Sequence, residues 1–347
     1  MKLLPPILLL ATAVLAALGG CGDAAAPRPD APRDAAPAAD VGDVVRIGFL
    51  VQQPDTAWAQ LQQKFADQAA DDLGFEIIHL PIPDRDAALA AIDRLAEEGA
   101  GGFAVSTPDT GLGYELVERA RAADLKVLSV DHSLVGANGL PHGVPHIGFD
   151  DAKIGTTTAV VLDAAMRARG WRSAHPDTTA VCVLTDDRSG SAHARTRAAL
   201  DALDAARFPA DRVHPTPPPG PGDEPGADAA AVLLRQHPGI RRWGVLGPSD
   251  RAVIGALRAF EAAGLPADAA IGVGVSGASA LDEFRREPAS GFHASVLLSV
   301  RAHGYDAAAA LYHWVAQGAK PPAETLTPGR LIDRRNFKRV AREAGME

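Results

Sequence analysis

The sequence predicts an α/β protein of two doubly wound lobes, and three observations lead there. Strand-like and helix-like segments alternate almost without exception from residue 46 to residue 345. Helices of 10–20 residues separate the strands, which means βαβ units and parallel sheets. Roughly eleven strands are many for one sheet in a chain of 347 residues, so they divide between two sheets.

The first strand lies over residues 46–51. Ile47, Phe49 and Val51 are β-formers, Gly48 and Leu50 fill the other face, and the run is too apolar for a wet edge. Gln53-Pro54-Asp55-Thr56 is a turn with a helix-capping candidate. A helix follows over 57–75, with Trp58, Leu61, Phe65 and Ala69 at helical spacing. Next come a strand over 75–82, a helix over 84–99 opened by Asp84 or Asp86 and closed by Gly99, a strand over 101–107, a helix over 111–125 and a strand over 126–132. A Gly/Pro/His loop over 136–146 leads to a strand over 147–150, a break near Asp150-Asp151 and a helix over 151–170. The second half repeats the pattern: strand 178–186, helix 191–208, a Pro-rich loop from Pro215 to Pro225, helix 226–238, strand 241–250, helix 251–264, strand 269–277 and helix 279–288. A strand over 292–299, a helix over 300–318, one last strand over 324–332 and a helix over 336–345 complete it. Right-handed crossovers place every strand-to-helix loop on one edge, where open α/β sheets bind their ligands.

Before the first strand the chain reads differently. Residues 1–20 form a signal peptide, with Lys2 as the charged start, an apolar run from Leu3 to Leu18 and small residues up to Cys21. Leu18-Gly19-Gly20-Cys21 resembles a bacterial lipobox, which makes Cys21 the expected site of lipidation and a lipid anchor in the membrane. The apolar run is short for a permanent membrane span. Residues 21–42 are mostly Ala, Pro and Asp, too poor in bulky apolar groups to offset the entropy of ordering, and are expected to be a disordered, extended tether.

About 305 residues remain, enough for two lobes with separate cores. The net charge is -9, with 43 acidic against 34 basic residues and no basic patch suited to a phosphate backbone, so nucleic acid is not an expected partner. Cys182, in the apolar run TAVCVLT, is the second of two cysteines and reads as a buried small hydrophobe.

The carboxyl ends of the strands gather Gln52, Gln53, Thr56 and Trp58; Thr107 to Asp109; Asp131 and His132; Phe149 and Asp150; Asp186 to Ser189 and Ser191; Pro248, Ser249 and Asp250; Ser276 and Ser279; and Ser295 to Ser299. Arg195 follows one helical turn after Ser191. Hydrogen-bonding groups with an aromatic ring and an arginine suit a small polyhydroxy ligand, since the ring covers the C–H face of a sugar. The plainer reading is that the Ser, Asp and Thr residues are turn and cap residues.

The stretches IGFLVQQPDTAW, KFADQAADDLGFEII, AIDRLAEEGAGGF, STPDTGLG, KVLSVD, AKIG, ARTRAALDAL, PGADAA, QHPGIRRW, IGVGVSG, HGYDAAAALYHWVA and RRNFK carry a family resemblance. From about Val45 to Ala344 the chain resembles the L-arabinose-binding family of bacterial periplasmic proteins, the sugar-capturing components of ABC importers. The resemblance implies the type I periplasmic-binding fold, two Rossmann-like lobes joined by a three-segment hinge that closes on a monosaccharide. The expected lobes are 43–150 with 299–326, and 151–298 with 327–347. It further implies a monomer that delivers ligand to a membrane permease and its ATPase, uses no cofactor and does no chemistry on the ligand.

Trp58 falls on the family's stacking tryptophan, Arg195 on the arginine that donates to sugar oxygens, and Ser191 on a threonine that positions the sugar. Gln52 stands in place of a lysine, Thr56 of a glutamate, His132 of an aspartate and Phe149 of a methionine. Ser249, Ser276 and Ser279 replace two asparagines and an aspartate, while Asp131 and Asp250 match acidic positions beside the pocket. With these departures the expected ligand is L-arabinose or a related sugar or polyol.

Gly272-Val-Gly274-Val-Ser-Gly277 fits a dinucleotide fingerprint but lies late in the chain without the following acid, and its glycines read as letting the backbone approach a ligand. His142 and His146 with His132 are a weak metal signal. A sugar-sensing receptor feeding a membrane histidine kinase or chemoreceptor would share this fold. A repressor effector domain would as well, but predicts an N-terminal helix-turn-helix where residues 1–42 offer a signal segment and tether.

Overall fold

Two six-stranded sheets organise the computed structural model, which describes residues 44–140, 142–186, 190–217 and 225–346. The signal peptide, the tether, Cys21 and Asp187 to Ser189 lie outside the described residues. The first half runs β1 (Arg46–Val51), α1 (Ala57–Leu73), β2 (Glu76–Pro81), α2 (Arg85–Glu97), β3 (Gly102–Ser106), α3 (Gly113–Ala122), β4 (Lys126–Asp131) and β5 (His146–Phe149). The second runs α4 (Asp151–Ala168), a short α5 (Trp171–Ala174), β6 (Thr179–Leu184), α6 (Gly190–Ala205), β7 (Val213–Thr216), α7 (Pro225–Gln236), β8 (Arg242–Leu246), α8 (Asp250–Ala262), β9 (Ala270–Ser276), α9 (Ala278–Arg285) and β10 (Phe292–Leu297). The chain closes with α10 (Ala307–Gln317), β11 (Glu324–Thr327), β12 (Arg330–Asp333) and α11 (Phe337–Glu343).

Strand order is β11-β5-β4-β3-β1-β2 in the first sheet and β12-β10-β9-β8-β6-β7 in the second. Every pairing is parallel except β12 against β10. The two orders match, although β12 runs antiparallel where β11 runs parallel, and the direction of winding reverses between β1 and β3 and between β6 and β8. At such reversals the loops on either side separate and open a crevice.

Burial follows from the strand sequences. Along β1, Ile47, Phe49 and Val51 enter a core with Ala66, Ala69, Ala307 and Leu311, while Leu50 enters the opposite core with Ile92, Leu95 and Phe103. The second sheet is covered likewise, by Leu233, Trp243, Leu257 and Phe260 on one face and Leu162, Met166, Val181 and Leu203 on the other. Each Val, Leu, Ile, Phe or Met side chain among them contributes about 1.5–3 kcal/mol when taken out of water. Cys182 is fully buried, its S–H directed at Thr216 Oγ1 (3.6 Å), and burial pushes the thiol up to about 12.

Beside the short α5, which the sequence reading lacks, three further elements differ from it. The single strand expected over 324–332 is two strands, one in each sheet. Pro328 offers no N–H, and Gly329, at φ 72°, turns the chain where a Cβ would lie 2.6 Å from Val296. β7 was hidden by its proline: Pro215 sits in a strand at the sheet edge, where a missing N–H is tolerated. The helix expected over 300–318 opens with a π-helical turn, Ala302–Asp306, in which a Cβ on Gly304 would lie 2.4 Å from Gln62 O of α1.

Candidate functional site

At the carboxyl end of β4, Asp131 turns its backbone to φ 65°, and its buried carboxylate collects four donors. Oδ2 accepts from Trp58 Nε1 (3.3 Å), Gln62 Nε2 (2.9 Å) and Ser106 Oγ (2.5 Å); Oδ1 lies 2.7 Å from His303 Nδ1. Burial alone would raise this carboxyl. The hydrogen bond and attraction from His303, with Ser106 and Gln62, outweigh burial and hold the group below the usual carboxylate range.

Trp58 is placed by α1. Thr56 caps that helix, its hydroxyl accepting from Ala59 N (3.2 Å) and donating to Gln53 O (3.0 Å). One turn further, Gln62 is the buried polar residue that ties α1 to Asp131. The indole leans on Phe149 (centroids 5.7 Å) and meets His303 edge-on (5.8 Å). Trp58 and Phe149 together cover Ile154, Val275, Val296 and Leu298, so the aromatic wall reaches the strand ends of the second sheet.

His303 is fully buried and stacks on Phe149 (4.3 Å, 15°), while its Nε2 lies 3.0 Å from Thr327 Oγ1. Thr327 in turn donates to Gly148 O (3.1 Å). The chain passes between the sheets after Phe149, before His303 and after Thr327, so this one imidazole touches residues at all three passages.

The opposite side is built on α4 and α6. Arg195 Nε donates to Asp151 Oδ1 (2.6 Å), Ser191 Oγ donates to Asp151 Oδ2, and Arg195 Nη1 makes a long 3.4 Å contact with Pro248 O. The guanidinium carbon lies 5.2 Å from the Phe149 ring centroid. His132, beside Asp131, responds electrostatically to both Asp151 and Arg195, and burial above all lowers its pKa.

Trp58, Asp131, Phe149, Ser191 and Arg195 thus join one connected set of contacts, with His132 beside it. The other side chains make contacts of their own. Gln52 accepts from the Thr107 hydroxyl, and Ser249 caps α8 through Ala252 N (3.3 Å). Asp250 is enclosed, 1% exposed, accepting from Ser295 Oγ (2.6 Å) and Gly277 N (2.7 Å) at the entrance to α9; Ser276, at φ 110°, and Ser279 flank that contact. Gln62, Ser106, Asp151, His303 and Thr327 were not singled out from the sequence. Only Asp151, the second acid of the Asp150-Asp151 pair at a strand end, carried a local signal.

Gly272 and Gly274 admit α8 against β9; a Cβ on Gly274 would lie 2.3 Å from Asp250 Oδ1. His146 is buried with Nδ1 3.0 Å from Ser129 Oγ, and His142 lies against Tyr114. No group of three or more metal-ligating side chains occurs among the described residues.

Comparison with known proteins identifies the family. An L-arabinose-binding periplasmic protein of Escherichia coli (strain K12) is 41% identical over 305 residues, covering 87% of this chain and 92% of that protein. An ABC transporter L-arabinose-binding periplasmic protein of Azospirillum brasilense is 35% identical over 340 residues, 97% of this chain and 96% of that one. Among solved structures, a periplasmic ribose ABC transporter protein from Conexibacter woesei DSM 14684 superposes with a TM-score of 0.71 at 17% identity, covering 86% of this chain and 95% of that chain; it bears on the fold alone. Residues 45–339 match the family described as periplasmic binding proteins and sugar binding domain of the LacI family, and the chain belongs to that family.

Proposed function

We propose that this chain is the solute-capturing component of an ABC importer, exported and held at the membrane by a lipid on Cys21. It takes one monosaccharide, L-arabinose or a related sugar or polyol, between its two lobes and passes it unchanged to a permease. The observation behind this reading is the pairing of an indole fixed by Asp131 with a guanidinium fixed by Asp151, on opposite sides of the strand-end edge. An aromatic face for C–H groups and a forked donor for hydroxyls are what a sugar ring requires. The extended similarity to the Escherichia coli and Azospirillum brasilense proteins supports the same ligand class.

A thermal-shift and calorimetric screen against pentoses, hexoses and polyols tests the reading. A specific ligand at 100 times its Kd stabilises the fold by about 2.7 kcal/mol. Arg195→Ala should abolish that shift. A wild-type protein that no sugar or polyol stabilises would sink the proposal, and a shift that survives Arg195→Ala would remove Arg195 from the site.

A further inference from the structure

Asp151 belongs to the first turn of α4, where the helix N-terminus favours a carboxylate. One turn on, Gly155 brings α4 into backbone contact with α6: a Cβ there would lie 2.0 Å from Arg195 O. On α6, Ser191 and Arg195 are likewise one turn apart and face the same way. Two helices in contact, rather than loops, therefore bring the three side chains together. The Asp151 and Arg195 side chains are 17% and 12% exposed, so water screens this pair far less than a surface one.

Asp151 takes Nε, the inner edge of the guanidinium, and uses its other oxygen on the Ser191 hydroxyl. That geometry neutralises the arginine through Nε, while Nη1 makes only the long 3.4 Å contact with Pro248 O. An unpaired arginine would favour a carboxylate-bearing ligand through a bidentate bond. A paired one offers N–H groups to uncharged oxygens, and the adjacent carboxylate repels an anion.

We propose that Asp151 is a positioning and specificity-determining residue: it sets the pose of Arg195 and restricts the site to neutral sugars at the expense of sugar acids. The inference rests on the sugar-capture reading above.

Isothermal titration of the full chain with L-arabinose and with its aldonic acid, L-arabinonate, tests it. The wild type should prefer the neutral sugar by at least a hundredfold. Asp151→Asn should weaken L-arabinose at least tenfold and narrow the sugar-to-acid ratio at least tenfold, with Asp151→Ala read the same way if the Asn variant does not fold. Asp151→Glu, which keeps the charge but displaces it, should lose affinity while preserving the ratio, a separation that a merely structural role would not produce. Wild-type binding of L-arabinose with an unchanged affinity and ratio in Asp151→Asn overturns the inference alone. Failure of the wild type to bind any neutral sugar or polyol overturns the capture reading, and this inference with it.

Discussion

Asp131 and Asp250 occupy comparable surroundings in the two lobes, each a buried carboxylate near strand ends, yet their neighbours push them in opposite directions. Asp131 has an imidazole beside it and is held low. Asp250 has only neutral donors, from Ser295, Gly277 and Ala280, and burial outweighs them, pushing the carboxyl up to about 7. Unfolded, Asp250 ionises near 3.8. The folded state therefore binds the proton more tightly, and this residue favours folding fully below pH 4. It withdraws that contribution as pH rises through 7, on the order of 4 kcal/mol in all. Asp131 has the reverse sign, its contribution being lost only in acid, and comparison with Asp250→Asn cancels the histidines that titrate between pH 5 and 8. Thermal melts across that window should show the wild type losing several degrees relative to Asp250→Asn; parallel curves would refute the assignment.

At the level of elements, helix entry points set the site. Thr56 is exposed and its hydroxyl serves the α1 cap, so the plain capping role suggested by the sequence is present whatever else the residue does. Thr56→Ala should cost about 1 kcal/mol in chemical denaturation and Thr56→Ser much less. Because Trp58 lies two residues inside the same helix, the Ala variant should also weaken ligand binding modestly; a neutral effect on both measurements would show that α1 starts without this cap. The arrangement of α4 and α6 follows the same logic, with Gly155 providing the close approach that lets Asp151 reach Arg195.

For the whole molecule, the consequence lies at the passages between the sheets. His303 connects Asp131, Phe149 and Thr327, so the residue that orients Trp58 is bonded to the passages between the sheets. Asparagine places an amide near the position of Nδ1, and glutamine near that of Nε2. His303→Asn should keep the Asp131 contact and hold ligand affinity within about threefold, an estimate of one retained hydrogen bond. His303→Gln should keep the Thr327 contact and lose affinity roughly tenfold or more, as Asp131 loses its partner. Titration calorimetry, with small-angle scattering for ligand-induced closure, checks both; equal losses would show that the two contacts are not distinct.

Much of the fold is legible in the chain because its signals are local. Apolar runs, turn residues and helical spacing specify the alternation of strand and helix, and the family stretches identify the fold. Locally, Pro215 and Pro328-Gly329 could be read only as loop or as part of one strand, since edge position and change of sheet depend on distant partners. The site shows the same division. Trp58, Asp131, Phe149, Ser191 and Arg195 are visible as strand-end or helix-entry residues, but what holds them is not. His303 meets Asp131 across 172 residues of sequence, Gln62 meets it across 69, and Asp151 meets Arg195 across 44. The sequence by itself determined which segments end at the edge, because strand-end position is a property of short segments. Only the tertiary structure decided which of the groups there are already paired, because a buried charge takes its partner from whatever the fold brings within hydrogen-bonding distance.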